Sequence, residues 1–437
     1  MFNDINIFVG PAVHSDSPEE ITCFPKVAIA VKDGKIVDFA KDGDIKNIKK
    51  IEVSKAKVIK LEEGQFLCPG FLDIHLHAPQ YPNIGLGYDK PLLDWLRLYT
   101  WPLEMRYSDT DFAKQVYESV VKSTLRCGTT TACYYGTIHQ ESSFILAEIA
   151  SRYGQRAIVG KVNMNQNSFP EYIETTEASL ADTKEFIEKV IALDNPLVEP
   201  AVTPRFAISC NFDLLKGLGE LAKKYNAYVQ THLCESKSEI AYTEELFPEC
   251  KNYTDIYHKS GLLTNKTILG HGVYLSEEDC KILSSTGTAI AHCASSNSVL
   301  QSGLCPVRDI WEAGVTIGLG TDVSGGSNLC ILDAMRSALT TSIHLAFTKS
   351  DYKPLTYHEV FYLATLGGAK ALSKEDQIGN FKIGKCFDAL LVDMNLGSPA
   401  GVFPSHDVVD LIQKFIYCGD DRNIKEVYVN GKVVSRR

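Results

Sequence analysis

The sequence predicts an α/β fold in which a (β/α)8 barrel carries a small flanking β-domain built from both chain ends. Three observations lead to this prediction. Short apolar segments that end in polar residues recur eight times through the middle of the chain. Helical stretches separate most of these segments, and each chain end carries β-rich runs around a turn dipeptide. Buried strands that alternate with helices are typical of a closed parallel barrel.

The two chain ends are each predicted to form a β-hairpin. Near the start, VAIAVKDGKIVDFA surrounds Asp33-Gly34, and near the end VYVNGKVV surrounds Asn430-Gly431. Such dipeptides between β-rich runs are a strong hairpin signal. DALLVD at 388–393 is a further short apolar strand. We therefore expect a composite β-domain of residues 1–68 and 380–437 beside a barrel of residues 69–379.

The barrel strands are predicted at FLDIHLH, TTTACYYG, RAIVGKVN, VEPAVTPRF, AYVQTHL, TILGHG, TAIAHCAS and VTIGLGTD. NFDLLKGLGELAKKY and SLADTKEFIEKVIAL between them have helical periodicity, and Asn211 can cap the first of these helices. Thr356 with Glu359 is a capping-box pattern before another helix, and Ser276 with Asp279 is a looser one. An open, doubly wound sheet is the alternative arrangement, and the polar residues at the strand ends favour closure.

Composition and charge exclude several classes of protein. The net charge of −10 argues against a nucleic-acid partner, because counterion release needs a basic surface. No apolar run reaches the roughly 18 residues that a membrane span requires, and the N-terminus does not resemble a signal peptide. The 13 cysteines are odd in number and scattered, which fits free thiols in a reducing compartment. We expect a soluble, cytoplasmic protein with a small-molecule substrate.

The segment 80–106, QYPNIGLGYDKPLLDWLRLYTWPLEMR, is long, aromatic and bounded by Pro and Gly. It is predicted to be an active-site loop with a short helix, and a partner surface is the alternative. Trp95 and Tyr99 on this loop are candidates either to close over a ligand or simply to pack.

Two histidines stand on the first predicted barrel strand. His75 and His77 are two residues apart, so their side chains point to the same face of the strand. This pair alone is a weak signal, since two hydrogen-bonded histidines would give the same pattern.

Further polar residues follow at the ends of later strands. His232 ends strand five with Glu235 just beyond it, His271 ends strand six, and Asp322 ends strand eight. Each has an ordinary explanation, as a core histidine, a turn residue or a helix cap. Together they occur at the same end of several strands, and in a barrel those ends converge on the face that carries active sites. Three histidines and a carboxylate suit a metal such as Zn²⁺ with one position left for water.

In this order, PGFLDIHLH, THLCE, HG, AHC and GTD resemble the signature of the amidohydrolase superfamily. More narrowly, DIHLHAPQY, LLDWLRLYTWPLE, GTTTACYY, VTPRF, NYTDIY and IGLGTDVSGG are similar to the guanine deaminases, and this similarity runs through the whole barrel. The resemblance implies that one zinc is held by four side chains: His75, His77, His232 and Asp322. It also implies one metal and not two, because strand four ends Thr203-Pro204-Arg205-Phe206, without the lysine that bridges two metals in other members.

The same resemblance implies hydrolysis of guanine to xanthine and ammonia. Zinc-activated hydroxide would attack C2 of the base, with Asp322 accepting a proton, Glu235 shuttling protons and His271 orienting the water. Substrate contacts are expected from His77, Gln80, Arg205, Phe206, His232 and Asp322. A homodimer and a role in purine catabolism are further expectations from the resemblance.

The sequence departs from the family pattern at strand seven, where AHCASSN replaces the usual HCPNSN. Ala294 and Ser295 therefore raise the alternative of a wider pocket and of a related 2-amino-4-oxo heterocycle, such as a dihydropterin, as the substrate. Cys234 is a second departure, expected on the turn or pointing away from His232. A ring-opening amidohydrolase fits less well, and a non-catalytic scaffold would be expected to lack metal ligands.

Overall fold

The computed structural model describes residues 5–397 and 401–437. In this part of the chain the strands are β1 (Ile5–Ser17), β2 (Glu20–Lys32), β3 (Lys35–Ala40), β4 (Lys57–Lys60), β5 (Gln65–Pro69), β6 (Phe71–His77), β7 (Thr129–Tyr135), β8 (Arg156–Asn163), β9 (Val198–Pro204), β10 (Tyr228–Leu233), β11 (Thr267–His271), β12 (Ala289–His292), β13 (Thr316–Leu319), β14 (Ala389–Asp393), β15 (Ile424–Val429) and β16 (Lys432–Arg436).

The α-helices are α1 (Leu92–Trp95), α2 (Trp101–Met105), α3 (Thr110–Arg126), α4 (Gln140–Tyr153), α5 (Thr176–Ala192), α6 (Phe212–Tyr225), α7 (Lys237–Leu246), α8 (Tyr253–Lys259), α9 (Glu277–Thr286), α10 (Ala294–Val299), α11 (Val307–Glu312), α12 (Ile331–Thr348), α13 (Tyr357–Tyr362), α14 (Gly368–Ala371) and α15 (Val408–Cys418). A π-helical stretch, Leu96–Thr100, joins α1 to α2, and Leu363–Gly367 joins α13 to α14 in the same way. Within the described residues, no helix is both long and apolar enough to cross a membrane.

The strands β6 to β13 form one parallel sheet in chain order. Polar contacts link its first strand to the segment that follows its last. The amide of Asp322 donates to the carbonyl of His75 at 2.8 Å, and the amide of His77 donates to the carbonyl of Val323 at 2.9 Å. The carboxylate of Asp73 accepts from the amide of Thr321 at 3.0 Å. These contacts curl the sheet into a nearly closed barrel, so the predicted barrel is confirmed and the open doubly wound sheet is not formed.

The second sheet is built from both chain ends. Its order is β16-β15-β14-β5-β1-β2-β3, with β4 paired to β1. Asp33-Gly34 joins β2 to β3 and Asn430-Gly431 joins β15 to β16, and all four residues have positive φ, as a type I′ hairpin turn requires. The β-sheet from both ends is therefore confirmed, while the domain bounds of 1–68, 69–379 and 380–437 remain a prediction.

Local sequence signals set several helix ends. Asn211 caps α6, because its side chain accepts from the amide of Leu214. The capping boxes of Ser276 with Asp279 and of Thr356 with Glu359 are both present, at α9 and α13. Each box satisfies amides of the first helical turn that have no partner inside the helix. Helices and loops enclose the barrel, and the carboxyl ends of β6, β10 and β11 meet at one face of it.

Candidate metal and active site

Four side chains from three separate regions of the chain meet at this face of the barrel. His75, His77, His232 and Asp322 each place one ligand atom within 4.8 Å of the others, and all four residues are buried. Oδ1 of Asp322 lies 3.4 Å from Nε2 of His75 and 3.3 Å from Nε2 of His77. The Nε2 atoms of His77 and His232 are 3.1 Å apart. This is the cluster predicted from the strand ends.

Backbone geometry explains why these residues meet. His75 and His77 both lie on β6, whose alternation sends every second side chain to the same face. Asp322 follows β13 and has a φ of 49°, in the left-handed region that a non-glycine residue rarely adopts. His271, at the end of β11, has a φ of 75°. Such backbone is concentrated at functional sites, where the surrounding structure holds it in place.

The ring of His232 is fixed by the backbone. Its Nδ1 lies 2.5 Å from the carbonyl oxygen of Arg205, which can only accept, so Nδ1 carries the proton. The Nε2 lone pair of His232 is therefore free and faces Nε2 of His77. A separation of 3.1 Å between these two nitrogens is favourable when a proton on Nε2 of His77 or a cation lies between them.

The protonation states expected at the cluster are those that metal ligands need. Burial lowers the pKa of His77 to about 4 and lowers that of His232 well below its usual value. Burial would raise the pKa of Asp322, but the adjacent imidazoles of His75 and His77 outweigh burial and hold that pKa well below its usual value. Neutral imidazoles and an ionised carboxylate fit a divalent metal. Both ring nitrogens of His75 also lack a hydrogen-bond partner among the described residues.

Glu235 and His271 lie beside this cluster. Oε2 of Glu235 is 3.4 Å from Nε2 of His271, and Oε1 accepts from the Ser302 hydroxyl at 3.0 Å. Burial, with a smaller effect from Asp322, raises the pKa of Glu235 to about 8. Nδ1 of His271 lies 2.8 Å from Oδ1 of Asn297, an amide oxygen that only accepts, so Nε2 of His271 is left as an acceptor. A carboxyl group with a pKa near neutrality can give up and take back a proton.

A pocket opens onto these groups. Its polar wall comprises His77, Gln80, Arg205, His232, Glu235, His271 and Asp322. Its apolar wall comprises Leu92, Trp95, Leu96, Phe206 and Leu300, with Gly325 completing the lining. Every predicted site residue thus lines the pocket except His75, which lies in the metal cluster but not in the wall. A mixed wall of this kind can hold a flat heterocycle, with apolar groups against its faces and polar groups at its edges.

The segment 80–106 supplies one side of the pocket, as predicted. Leu92, Trp95 and Leu96 from this segment lie in the wall, and the indole N–H of Trp95 donates to the carbonyl of Leu86 at 2.9 Å. Tyr99 lies outside the wall, with its ring against Gly87. Of the two aromatic candidates on this loop, Trp95 therefore borders the ligand space and Tyr99 packs.

Comparison with known proteins agrees with this geometry. The model of the amidohydrolase family matches residues 66–434. This chain belongs to the amidohydrolase family. The amidohydrolase is 48% identical to the guanine deaminase of Rattus norvegicus over 98% of this chain and 96% of that protein, and 47% identical to the guanine deaminase of Mus musculus over the same shares. The crystal structure of guanine deaminase from C. acetobutylicum with bound guanine in the active site has a TM-score of 0.91, at 33% identity, covering 99% of this chain and 100% of that one.

Sequence reasoning missed one buried carboxylate behind the pocket of this amidohydrolase. Glu104 is fully buried, and its Oε2 accepts from Nη1 of Arg205 at 2.6 Å. Arg205 therefore both lines the pocket and makes an ion pair with a carboxylate that is distant in sequence. The partners are 101 positions apart, so no local pattern links them. The one available signal was the position of Glu104 in LLDWLRLYTWPLE, a stretch that resembles the family.

The suggested widening at strand seven is not found in the amidohydrolase pocket. Neither Ala294 nor Ser295 lines it. Ala294 is buried in the core, and the Ser295 hydroxyl lies 3.0 Å from that of Ser327 in a separate surface groove. Cys234 lies on the turn after β10, with a φ of 51°, and its carbonyl accepts from the amides of Val273 and Tyr274. None of these three departures from the family pattern therefore lies in the pocket wall.

Proposed function

We propose that this chain hydrolyses guanine to xanthine and ammonia at a single zinc ion. The observation that carries the proposal is that three of the four cluster residues, together with Glu235, line the same pocket as Gln80 and Arg205. Similarity over nearly the whole chain to proteins named guanine deaminase supports the choice of substrate. The balanced reaction adds one water at C2 and breaks the bond from C2 to the exocyclic nitrogen.

A bound divalent cation at His75, His77, His232 and Asp322 would supply Lewis acidity and lower the pKa of a coordinated water from about 16 towards about 7. The three-nitrogen, one-oxygen ligand set suits zinc, and iron is the other candidate. A single metal is proposed because β9 ends without a lysine to bridge a second one.

The residues around the cation would move the protons. Oδ2 of Asp322 lies 3.8 Å from Nε2 of His271, so both groups can contact the attacking water from the same side. Asp322 would take its proton, and His271 would orient it as an acceptor. Glu235, with its raised pKa, would give its proton to the ring nitrogen next to C2, take up the proton of the hydroxyl added at C2, and pass that proton to the departing ammonia.

The remaining wall residues would bind and orient the base. The N–H groups of Gln80 and Arg205 can donate to a carbonyl oxygen and a ring nitrogen, and Phe206 can pack against a ring face. Gln80 and Arg205 are themselves buried, so few waters compete with these contacts. No observation favours a pterin, since neither Ala294 nor Ser295 lines the pocket. The ligand set is complete, whereas a scaffold that had lost its chemistry would be expected to lack ligands.

Ammonia release from guanine and from 7,8-dihydropterin, measured side by side with zinc-loaded protein, tests this proposal. We expect guanine to be preferred by orders of magnitude in kcat/KM, and a chelator to abolish turnover. An equal or higher rate with the pterin would overturn the substrate assignment, and full activity after metal removal would overturn the metal assignment.

A further inference from the structure

The carboxylate of Glu104 lies directly behind the polar wall of the pocket. It does not line the pocket, and its side chain is fully buried. Oε1 accepts from Nε2 of Gln80 at 3.0 Å. Oε2 accepts from Nη1 of Arg205 at 2.6 Å and from the hydroxyl of Tyr172 at 2.7 Å. One buried group thus contacts both side chains that the proposed function assigns to the polar edge of the base.

The charge of Glu104 determines the direction of all three hydrogen bonds. Burial would raise its pKa, but the Arg205 guanidinium and the Tyr172 hydroxyl outweigh burial and hold the pKa below its usual value. An ionised carboxylate accepts only, so Gln80, Arg205 and Tyr172 must each donate to it. Charge-assisted hydrogen bonds of this kind are stronger than neutral ones and define the orientation of the groups that make them.

The consequence for Gln80 is a fixed amide orientation. Its nitrogen must face Glu104, and its oxygen lies 3.3 Å from the amide of Ser324, which donates. Both ends of the amide are therefore assigned by their partners. The second N–H of Nε2 is the group that Gln80 can still offer to a ligand. Arg205 has no acceptor at all, and its guanidinium keeps free N–H groups beyond the one that meets Glu104.

We propose that Glu104 is a positioning residue that makes this part of the wall a donor-only surface. Resting on the proposed function, this assignment names the substrate class: bicyclic bases that present acceptors there, a ring carbonyl oxygen and an unprotonated ring nitrogen. A base with an amino group in place of the carbonyl would place its own N–H donors against the N–H donors of Gln80 and Arg205. Leaving buried polar groups unpaired in this way is the main source of strong discrimination between similar ligands.

A neutral amide at position 104 would remove this constraint. Glutamine at this position has only one acceptor oxygen. Its NH₂ group would therefore face a donor, either Gln80 on one side or Arg205 and Tyr172 on the other. Gln80 could then rotate its amide and turn its oxygen towards the ligand, where it would accept from an amino group. Binding of a carbonyl-bearing base should therefore weaken, while binding of an amino-bearing base should weaken less or improve.

The test compares kcat/KM for guanine with kcat/KM for 2,6-diaminopurine, which keeps the 2-amino group and replaces the carbonyl by an amino group. We expect the wild-type protein to prefer guanine strongly, and Glu104→Gln to reduce that preference at least tenfold, mainly through a higher KM for guanine. Metal content should stay at the wild-type level. Glu104→Asp, measured alongside, keeps the charge but is one methylene shorter, and we expect it to lower guanine turnover while retaining more of the preference.

Glu174→Gln is the matched control. Glu174 is a largely buried carboxylate in the same region, accepting from Lys161 at 2.5 Å and from Ser179 at 2.9 Å, and it does not line the pocket. The Glu174→Gln variant should be less stable than the wild type, but its ratio of kcat/KM for guanine to kcat/KM for 2,6-diaminopurine should not change. If Glu104→Gln and Glu104→Asp slow both substrates equally and leave the ratio within twofold of wild type, Glu104 is merely structural and the inference is wrong.

Failure of the proposed function gives a different result. If the wild-type protein deaminates neither base, the proposed function fails, and the donor-only wall is then judged from equilibrium binding of the same two bases. Preferential binding of guanine that Glu104→Gln removes would still support the role of Glu104. If the wild-type protein turns over both bases and prefers 2,6-diaminopurine, the deaminase activity stands, but the donor-only wall is contradicted.

Discussion

Nε2 of His77 and Nε2 of His232 lie 3.1 Å apart in a buried site, although the two residues are 155 positions apart in the chain. The carbonyl of Arg205 fixes the proton of His232 on Nδ1, so its Nε2 lone pair points at His77. Such a pair is stable when a cation lies between its members. The metal cluster should therefore contribute to folding as well as to chemistry.

Metal removal is expected to destabilise the protein. A ligand that binds only the folded state raises stability by RT ln(1 + [L]/Kd), so a chelator should lower Tm and added zinc should restore it. His232→Ala should reduce the metal content from one per chain to near zero and make Tm insensitive to the chelator. A full metal content in this variant, measured by elemental analysis, would remove His232 from the ligand set.

Arg205→Ala is expected to have two separable effects. Loss of the ligand contact should weaken transition-state binding by roughly 2–4 kcal/mol, measured as kcat/KM. Loss of the ion pair leaves the buried Glu104 charge without its cationic partner, which typically costs about 3–5 kcal/mol of stability. The double variant Arg205→Ala with Glu104→Gln should regain much of the stability in urea unfolding but none of the activity. Recovery of both would mean that Arg205 acts only through folding.

His14 is predicted to make stability depend on pH. Burial lowers its pKa from 6.5 to about 4, and its Nδ1 accepts from the amide of Phe381 at 3.1 Å, which opposes protonation there. Between these two pH values the unfolded chain binds more protons than the folded one, so stability is lost as pH falls from 6.5 towards 4. The full contribution is about 3 kcal/mol.

The matched variant for this prediction is His14→Asn, which keeps an acceptor near Nδ1 and does not titrate. Its free energy of unfolding, measured by urea titration across this pH range, should fall less steeply than that of the wild type. Equal slopes for the two proteins would show that His14 does not couple folding to pH.

Ser302→Ala should move the basic limb of the pH–kcat/KM profile to higher pH. The Ser302 hydroxyl donates to Glu235 and so stabilises its ionised form, which lowers the pKa of this carboxyl group. Without that hydrogen bond the protonated form persists to higher pH, by about half to one unit for a bond worth roughly 1 kcal/mol. If the basic limb stays in place or moves to lower pH, Ser302 does not stabilise the ionised form of Glu235.

The barrel could be predicted from the sequence because the patterns that indicate it are local or repeat along the chain. FLDIHLH and RAIVGKVN match the observed bounds of β6 and β8, since buried strands have a distinct composition and end at polar residues. His75, His77, His232 and Asp322 could be grouped because a barrel brings its strand ends together. Asn211 and the capping boxes were found because their spacing is fixed by the first helical turn.

What sequence reasoning missed depends on tertiary contacts between distant segments. Glu104 meets Arg205 across 101 positions, and Ser302 meets Glu235 across 67.

One local feature was also missed. Ser236 with Glu239 forms a capping box at α7, which the spacing of these two residues could have revealed. The homodimer, the cytoplasmic location and the assigned role of each site residue remain predictions.

Glu235→Gln tests the central claim most directly. The change is isosteric, leaves the four metal ligands in place and removes the group that would pass protons to the base. With metal content, xanthine binding and ammonia release from guanine measured on the same preparation, we expect one metal per chain, a Kd for xanthine within a few-fold of wild type, and a kcat lower by about a thousandfold. Near wild-type turnover by this variant would contradict the proton-shuttle account.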